Sequence, residues 1–345
     1  MIIGFVGIGK MGHNMVLNLL SKNIKVAAYN KTPEKTKELV KKGIIPAFSL
    51  KELVFQLPSN KKVIWLMVPP ESVDITIGEL RLYLTKGDTI IDGGNSFYKN
   101  SIRRAKELKE KGINFLDVGT NSGVEGALNG ASLTVGGEKK IFDDLRLLFS
   151  SLAAKEGYTY VGSSGAGHYV KMVHNMIEYG IMQAIGEGFE SLKHSDFEFD
   201  MAEIARTWNN GSVIRSYLME LVEKSFKKDK NLSHVESYVS DSGEGKWAIE
   251  DALERNTPVP SSALALMVRY KSRDNDPIAE KLIASLRNEF GGHGVFKVIE
   301  DNKTEKIKQQ KIIIKSKKNK RKKKIVKIKK VLKKKKIVKK TKRKR

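Results

Sequence analysis

The chain has 345 residues, no cysteine, and 64 Lys+Arg against 39 Asp+Glu, a formal net charge of +25. The excess is local: residues 301–345 hold 25 basic and 2 acidic residues, a net of +23, while residues 1–300 hold 39 and 37, a net of +2. The lack of thiols excludes a disulfide scaffold, thiol catalysis and thiolate metal sites, and no apolar run approaches the roughly 20 residues of a membrane span. Met1–Val6 has no basic lead-in of the kind a secretion signal carries, so a cytoplasmic body of two domains is expected. Short apolar runs predict strands over 2–6, 26–29, 63–68, 89–91, 115–118 and 133–135. They lack the alternation of half-exposed strands, as strands buried on both faces should. Between them, helical periodicity covers 11–21, 33–42, 101–111 and 138–151, with Pro33 suited to a first helical turn. This alternation predicts an α/β domain over 1–164, with a mainly parallel, doubly wound sheet. From Gly165 strand signals fade, and helices are expected over 169–193, 201–210, 213–227, 246–255, 261–271 and 277–289. Residues 165–300 therefore read as an all-helical domain, and 301–345 as a low-complexity Lys-rich tail too highly charged to fold alone.

Gly7-Ile8-Gly9-Lys10-Met11-Gly12 follows the first strand and opens the first helix. In a G-x-G-x-x-G turn of the Rossmann type, the first glycine makes the tight turn. The second admits a pyrophosphate to the backbone and helix N-terminus, and the third lets helix and strand pack closely. The second strand ends in Asn30-Lys31-Thr32, with no carboxylate to hold an adenosine ribose and repel a 2′-phosphate. Lys31 can pair with such a phosphate while Asn30 and Thr32 donate hydrogen bonds, which favours NADP, with NAD still possible; Lys31 could equally be a solvated turn residue.

Lys171, His174, Asn175 and Glu178 recur at i, i+3, i+4 and i+7 and so share one helix face, between the apolar residues Val170, Met172, Val173, Met176 and Ile177. A desolvated lysine can serve as a base, and a carboxylic acid in the same row can return a proton elsewhere on a substrate. The same spacing also suits a buried Lys–Glu ion pair that ties helices together.

The segment from Gly165 to Gly180, Gly-Ala-Gly-His-Tyr-Val-Lys-Met-Val-His-Asn-Met-Ile-Glu-Tyr-Gly, closely resembles the central motif of decarboxylating 6-phosphogluconate dehydrogenases. The resemblance extends through residues 1–296. It includes Asp92-Gly93-Gly94-Asn95-Ser96, Gly243-Glu244-Gly245-Lys246-Trp247 and Arg287-Asn288-Glu289-Phe290-Gly291-Gly292-His293, and the length of the body without the tail resembles that of the family's short form. The resemblance implies that Lys171 takes the proton of the substrate 3-hydroxyl during hydride transfer and later protonates that oxygen. Glu178 protonates C1 of the enediol left by decarboxylation, and His174 and Asn175 hold the sugar hydroxyls and carboxylate. No metal is implied. By the same resemblance Tyr179, Lys246, Arg269, Arg287 and His293 bind the phosphate, Asn95 places cofactor and substrate, and Met67 and Val68 line the cofactor cleft. Because Arg287 and His293 of such enzymes reach a neighbouring subunit's site, a homo-oligomer is implied.

Three departures stand out. Asn121-Ser122-Gly123 replaces the family's Ser-Gly-Gly at the substrate, Ala248 replaces a threonine two residues after Lys246, and Lys31 replaces an arginine. These bear on affinity and rate more than on reaction type. A related β-hydroxyacid dehydrogenase acting on a smaller acid is the alternative, but it would not need the cationic cluster of Lys246, Arg269, Arg287 and His293. The tail admits nucleic-acid or anionic-membrane binding, a nuclear address, or no selected role, since its residues are those that adenine- and thymine-rich codons specify.

Overall fold

The computed structural model describes residues 1–291 and Gly294. His293 and the Lys-rich segment 301–345 lie outside these residues. The chain order is β1 (Ile2–Val6), α1 (Lys10–Ser21), β2 (Lys25–Tyr29), α2 (Pro33–Val40), β3 (Ile45–Ala47), α3 (Leu50–Phe55), β4 (Val63–Leu66) and α4 (Pro70–Leu80). Then come β5 (Thr89–Asp92), α5 (Tyr98–Lys109), β6 (Asn114–Thr120), α6 (Gly123–Asn129), β7 (Ala131–Gly137), α7 (Lys139–Asp144), α8 (Arg146–Leu152) and β8 (Ala153–Gly162). The helical part comprises α9 (Ala166–Lys193), α10 (Met201–Asn209), α11 (Tyr217–Lys228), α12 (Glu244–Glu254), α13 (Pro260–Lys271) and α14 (Ile278–Gly291).

The eight strands form one sheet in the order β3-β2-β1-β4-β5-β6-β7-β8. All neighbours are parallel except β6 and β7. The predicted α/β class and doubly wound sheet are therefore present. Side chains alternate across the sheet. Ile3, Phe5, Trp65, Ile91 and Leu116 pack on one face with Met15, Leu19 and Phe149. Val6, Ile64, Leu66, Ile90 and Phe115 pack on the other with Leu53, Val73 and Leu108. Both faces are covered, which is why these strands read as unbroken apolar runs.

Two strands escape the sequence pattern. β3 is only Ile-Pro-Ala, an edge strand in which Pro46 is tolerated because one side needs no ladder partner. β8 is the opposite edge, largely half-exposed, and shifts register against β7 between Ala153 and Tyr158, around Glu156 at φ +60°. Helices α3, α4 and α6 are also additional, and the helix expected over 138–151 is two, separated at Leu145, whose φ of −107° and ψ of 13° are not helical.

Residues Met1–Asp274 form one compact unit, and a second begins at Asn275. In the first, α9 docks on the sheet through backbone. A Cβ on Gly167 would lie 2.2 Å from the Asp117 carbonyl oxygen and 2.6 Å from that of Thr134. The Asp117 carboxylate, fully buried on β6, accepts the N–H groups of Gly165 (2.7 Å) and His168 (2.9 Å) and so caps the start of α9 from the sheet. In the second unit, α14 carries exposed Ile278, Leu282, Ile283 and Leu286, and Lys281 pairs with Asp276.

Candidate active site

The C-terminal ends of the parallel strands carry the loops on which a doubly wound sheet binds ligands, at the point where the strand order reverses. Here that point lies between β1 and β4. Gly7 has φ +98°, and a Cβ there would lie 2.3 Å from the Met67 carbonyl oxygen, so the two loops touch through backbone. A Cβ on Gly12 would meet the Gly7 carbonyl oxygen at 2.1 Å, the close helix–strand approach that the third glycine permits. Gly9 faces open space, and α1 begins there with no side-chain cap and no acidic residue in its first turn. These first-turn N–H groups and the bare Gly9 form a cradle that fits a pyrophosphate. Lys10 is exposed beside it and Met11 half-buried; Met67, Val68 and Asn95 are half-buried on the adjoining loops.

Asn30 follows the end of β2. Its Oδ1 accepts the Ile8 N–H at 2.8 Å and its Nδ2 donates to the Thr32 carbonyl at 3.1 Å, so the amide staples the glycine loop to the end of β2. One of the two Asn30 Nδ2 hydrogens is thus used within the turn, and the other stands with exposed Lys31 and the Thr32 hydroxyl as a candidate donor.

The loop after β5 is held by a buried network. Asp92 accepts Ser96 Oγ (2.7 Å), Gly94 N–H (3.2 Å) and Arg104 (3.2 Å), and Arg104, 2% exposed, reaches Asp74 at 2.8 Å. This fixes the backbone on either side of Asn95.

Lys171 is 8% exposed, and its Nζ donates to the Thr120 carbonyl at the end of β6 at 2.5 Å. Gly119 makes room for it, since a Cβ there would come within 2.7 Å of Lys171 Cβ. Burial holds the Lys171 ammonium below the usual lysine range, and the carboxylates of Glu244 and Glu178 partly oppose this. Among the described residues Lys171 has no ion-pair partner within 4.0 Å, so the Lys171–Glu178 tie allowed by the spacing does not form. Glu178 instead faces His174, at 3.8 Å from Nδ1, and that nitrogen also meets Asn175 Oδ1 at 3.1 Å.

Asn121 lies next to the Thr120 carbonyl with its Oδ1 buried and without a hydrogen bond. Ser122 Oγ accepts the Ser132 N–H at 2.5 Å, tying this loop to β7, so its hydroxyl hydrogen is the donor left for a ligand. Gly123, at φ +62°, faces open space.

Tyr179, the residue after Glu178, is buried, which pushes its phenol up, and the Arg269 guanidinium, 3.6 Å above the ring centroid, partly opposes this. Gly245 sits on the same ring: its Cβ would fall 2.5 Å from Tyr179 Cε2. The structure thus gathers Tyr179, Arg269 and the start of α12. Lys246, one residue on, is exposed and pairs with Glu250 at 3.5 Å. Arg287 is exposed on α14, in the second unit. Ala248 is buried with Tyr98 and Met172, so the position is used for packing.

Several supporting residues carried no sequence signal. Asp117 and the Thr120 carbonyl look like ordinary strand residues. Glu244, 3% exposed, reads as an acid at a helix start, which the helix dipole alone would explain. Asp251 on α12 accepts Tyr98 Oη (2.6 Å), Tyr169 Oη (3.0 Å) and Arg255 Nε (2.8 Å), joining α12 to α5 and α9. Among the described residues no group of three or more His, Asp or Glu is placed to hold a metal ion, and no helix is long and apolar enough to cross a membrane.

Residues 2–162 match the family model of the NAD binding domain of 6-phosphogluconate dehydrogenase, and residues 167–339 match that of the 6-phosphogluconate dehydrogenase C-terminal domain. The chain belongs to the 6-phosphogluconate dehydrogenase family. The second match runs into the Lys-rich segment, whose composition sets it apart from the body. An NAD(+)-dependent, decarboxylating 6-phosphogluconate dehydrogenase of Haloferax volcanii is 40% identical over 296 residues, 85% of this chain and 98% of that one. The Bacillus subtilis protein YqeC, whose name assigns it provisionally as a 6-phosphogluconate dehydrogenase, is 46% identical over 295 residues, 86% of this chain and 99% of that one. The 6-phosphogluconate dehydrogenase of Plasmodium falciparum, solved in apo form and with NADP+ or 6-phosphogluconate, superposes with a TM-score of 0.74 at 32% identity, over 86% of this chain and 66% of that one.

Proposed function

We propose that the protein oxidatively decarboxylates 6-phospho-D-gluconate to ribulose 5-phosphate and carbon dioxide, with NADP as the preferred oxidant and NAD as a second. The observation that carries this reading is Lys171, a lysine held beside the carboxyl edge of the sheet, with its ammonium destabilised by burial and no ion-pair partner among the described residues to hold the proton. Such an amine is a base suited to a hydroxyl.

The bound nicotinamide supplies the acceptor for the hydride leaving C3. Lys171 takes the 3-hydroxyl proton as that hydride leaves, producing a 3-keto acid. The C1–C2 bond then breaks, carbon dioxide departs, and the electron pair flows toward the C3 carbonyl, whose oxygen Lys171 protonates. Glu178 delivers a proton to the carbon that lost the carboxylate while Lys171, now neutral, takes back the proton of the enediol hydroxyl at C3, giving the ketose. His174 and Asn175 hold hydroxyls and carboxylate, with Asn95, Asn121, Ser122 and Gly123 on the facing loops. Tyr179, Lys246 and Arg269 receive the phosphate dianion, which cationic and hydroxyl donors suit. Arg287 and His293 complete that subsite from a neighbouring subunit, so the active form is a homo-oligomer.

Exposed Lys31, with no carboxylate at the end of β2, supports NADP. The Haloferax relative's use of NAD supports keeping NAD as a second oxidant. The test is absorbance of the reduced nicotinamide, with 6-phosphogluconate and NADP or NAD in parallel, and carbon dioxide trapped. Reduction with stoichiometric carbon dioxide is expected. A folded sample silent with both cofactors would overturn the reading.

A further inference from the structure

Beyond Leu66 and Asp92 the parallel ladder of β4 and β5 runs out. The last backbone bond between the two runs from the Gly93 N–H to the Leu66 carbonyl, at 3.0 Å. The chain then leaves the carboxyl edge of the sheet as two loops, Met67-Val68-Pro69 toward α4 and Gly94-Asn95-Ser96 toward α5. This is the edge at which a doubly wound sheet takes its ligand. Among the described residues no backbone hydrogen bond joins these two loops.

The connection is made by a side chain. Arg104 on α5 is 2% exposed. Its Nε and Nη2 donate to the Asp74 carboxylate on α4 at 2.8 and 3.3 Å, and its Nη1 donates to Ser96 Oγ at 3.0 Å and to Asp92 Oδ2 at 3.2 Å. Ser96 Oγ and the Gly94 N–H in turn donate to Asp92. Arg103 also holds Asp74, from the exposed side, but its other partner is Glu107 and not the loop. Asn95 is thus flanked on both sides by anchored neighbours, while among the described residues no hydrogen bond engages its own half-buried amide. A Cβ on Gly94 would lie 3.0 Å from the Val68 carbonyl oxygen, so the Asn95 loop rests against the cofactor-cleft loop through bare backbone. At the far end of the same two strands, Asp88 accepts the Lys62 N–H at 2.8 Å and lies 3.4 Å from its ammonium. That pair and the ladder already secure β4 to β5, so holding the strands together is not what requires Arg104.

We propose that Arg104 is a positioning residue for Asn95: by clasping α4 to the β5–α5 loop it presents the Asn95 amide to bound cofactor and substrate at a fixed place beside Val68. Arginine suits this task because one rigid planar fork serves acceptors on two elements at once, whereas a lysine ammonium is a point charge that settles on one of them. The purpose assigned to the clasp rests on the dehydrogenase reading; the clasp itself does not.

The test is a double-mutant cycle of Arg104→Lys with Asn95→Ala, with folding checked by thermal melting. Arg104→Lys keeps the charge and loses the fork. With Asn95 present it should lower kcat by roughly tenfold to a hundredfold, the range for a group displaced by up to about 1 Å. In Asn95→Ala it should lower kcat by less than about threefold further, because the residue through which it acts is gone. The same cycle read as calorimetric affinity for NADPH needs no turnover, and the weakening caused by Arg104→Lys should likewise vanish in Asn95→Ala. If Arg104→Lys does not fold, Ser96→Ala, which removes the arm next to Asn95, takes its place with a smaller loss and the same dependence on Asn95. Equal losses in both backgrounds, in kcat and in affinity, would mark Arg104 as a general support of the fold and overturn the proposal, as would an Arg104→Lys protein that matches wild type in both. A wild type inactive on 6-phosphogluconate whose NADPH affinity still shows the dependence on Asn95 would refute the reaction and keep the positioning role.

Discussion

Gly119 is where the sheet yields to α9, and replacing it with alanine tests the architecture of the site directly. An added Cβ would lie 2.4 Å from Thr134 Oγ1, 2.7 Å from the Gly167 carbonyl oxygen and 2.7 Å from Lys171 Cβ. Ordinary contact begins near 3.4 Å, so the three neighbours must retreat by about 0.7–1 Å, and two of them belong to α9. Overpacking of this kind costs about 1–3 kcal/mol, and a domain of this size loses about 2–4 °C of Tm per kcal/mol. The effect on turnover should be larger. Lys171 would be carried away from the Thr120 carbonyl by a distance comparable to the misplacement that costs about a hundredfold in rate. Thermal melting and steady-state turnover of Gly119→Ala give the two readouts. A melting midpoint within 1 °C of wild type, by the same reckoning less than about 0.5 kcal/mol, together with kcat within twofold, would show that α9 does not rest on Gly119 as described.

Lys171→Met should lower turnover by at least about a hundredfold, the usual share of a general base, while NADP binding followed by calorimetry stays near wild type; substantial residual turnover refutes the base assignment. Lys31→Asp should reduce the NADP-to-NAD ratio of kcat/KM by at least about tenfold, because it places a carboxylate against the 2′-phosphate, and an unchanged ratio means that the turn does not read that phosphate. Burial alone would raise Asp251, but hydrogen bonds from Tyr98, Arg255 and Tyr169 hold it below the usual carboxylate range. Its folded value being depressed, the stability it contributes is present above the unfolded value of about 3.9 and is lost as pH falls through the folded value. Urea unfolding of Asp251→Asn should therefore show a deficit at pH 7 that narrows toward pH 3; a deficit independent of pH would refute the linkage.

Strands buried on both faces, the G-x-G-x-x-G turn and the polar face of α9 are local patterns, and each was legible as a run, a spacing or a period. So were Lys171 and Glu178 as a pair on one helix face. What each pair member does was not legible, because spacing fits both an ion pair and an acid–base couple. The edge strands β3 and β8 escape the pattern for the opposite reason: three residues with a proline, and a half-exposed strand whose register shifts around Glu156, carry no period to detect.

The doubly wound fold, the dinucleotide turn and the helix that bears the candidate base are legible in the amino-acid order alone, because each follows from residues within one or two helical turns or a single strand. Only packing makes Asp117 the cap of α9, the Thr120 carbonyl the acceptor of Lys171, and Asp251 the meeting point of Tyr98 and Tyr169. Those relations come from how helix, sheet and loop pack around bare glycines, and a local pattern holds no record of which distant surface will meet it.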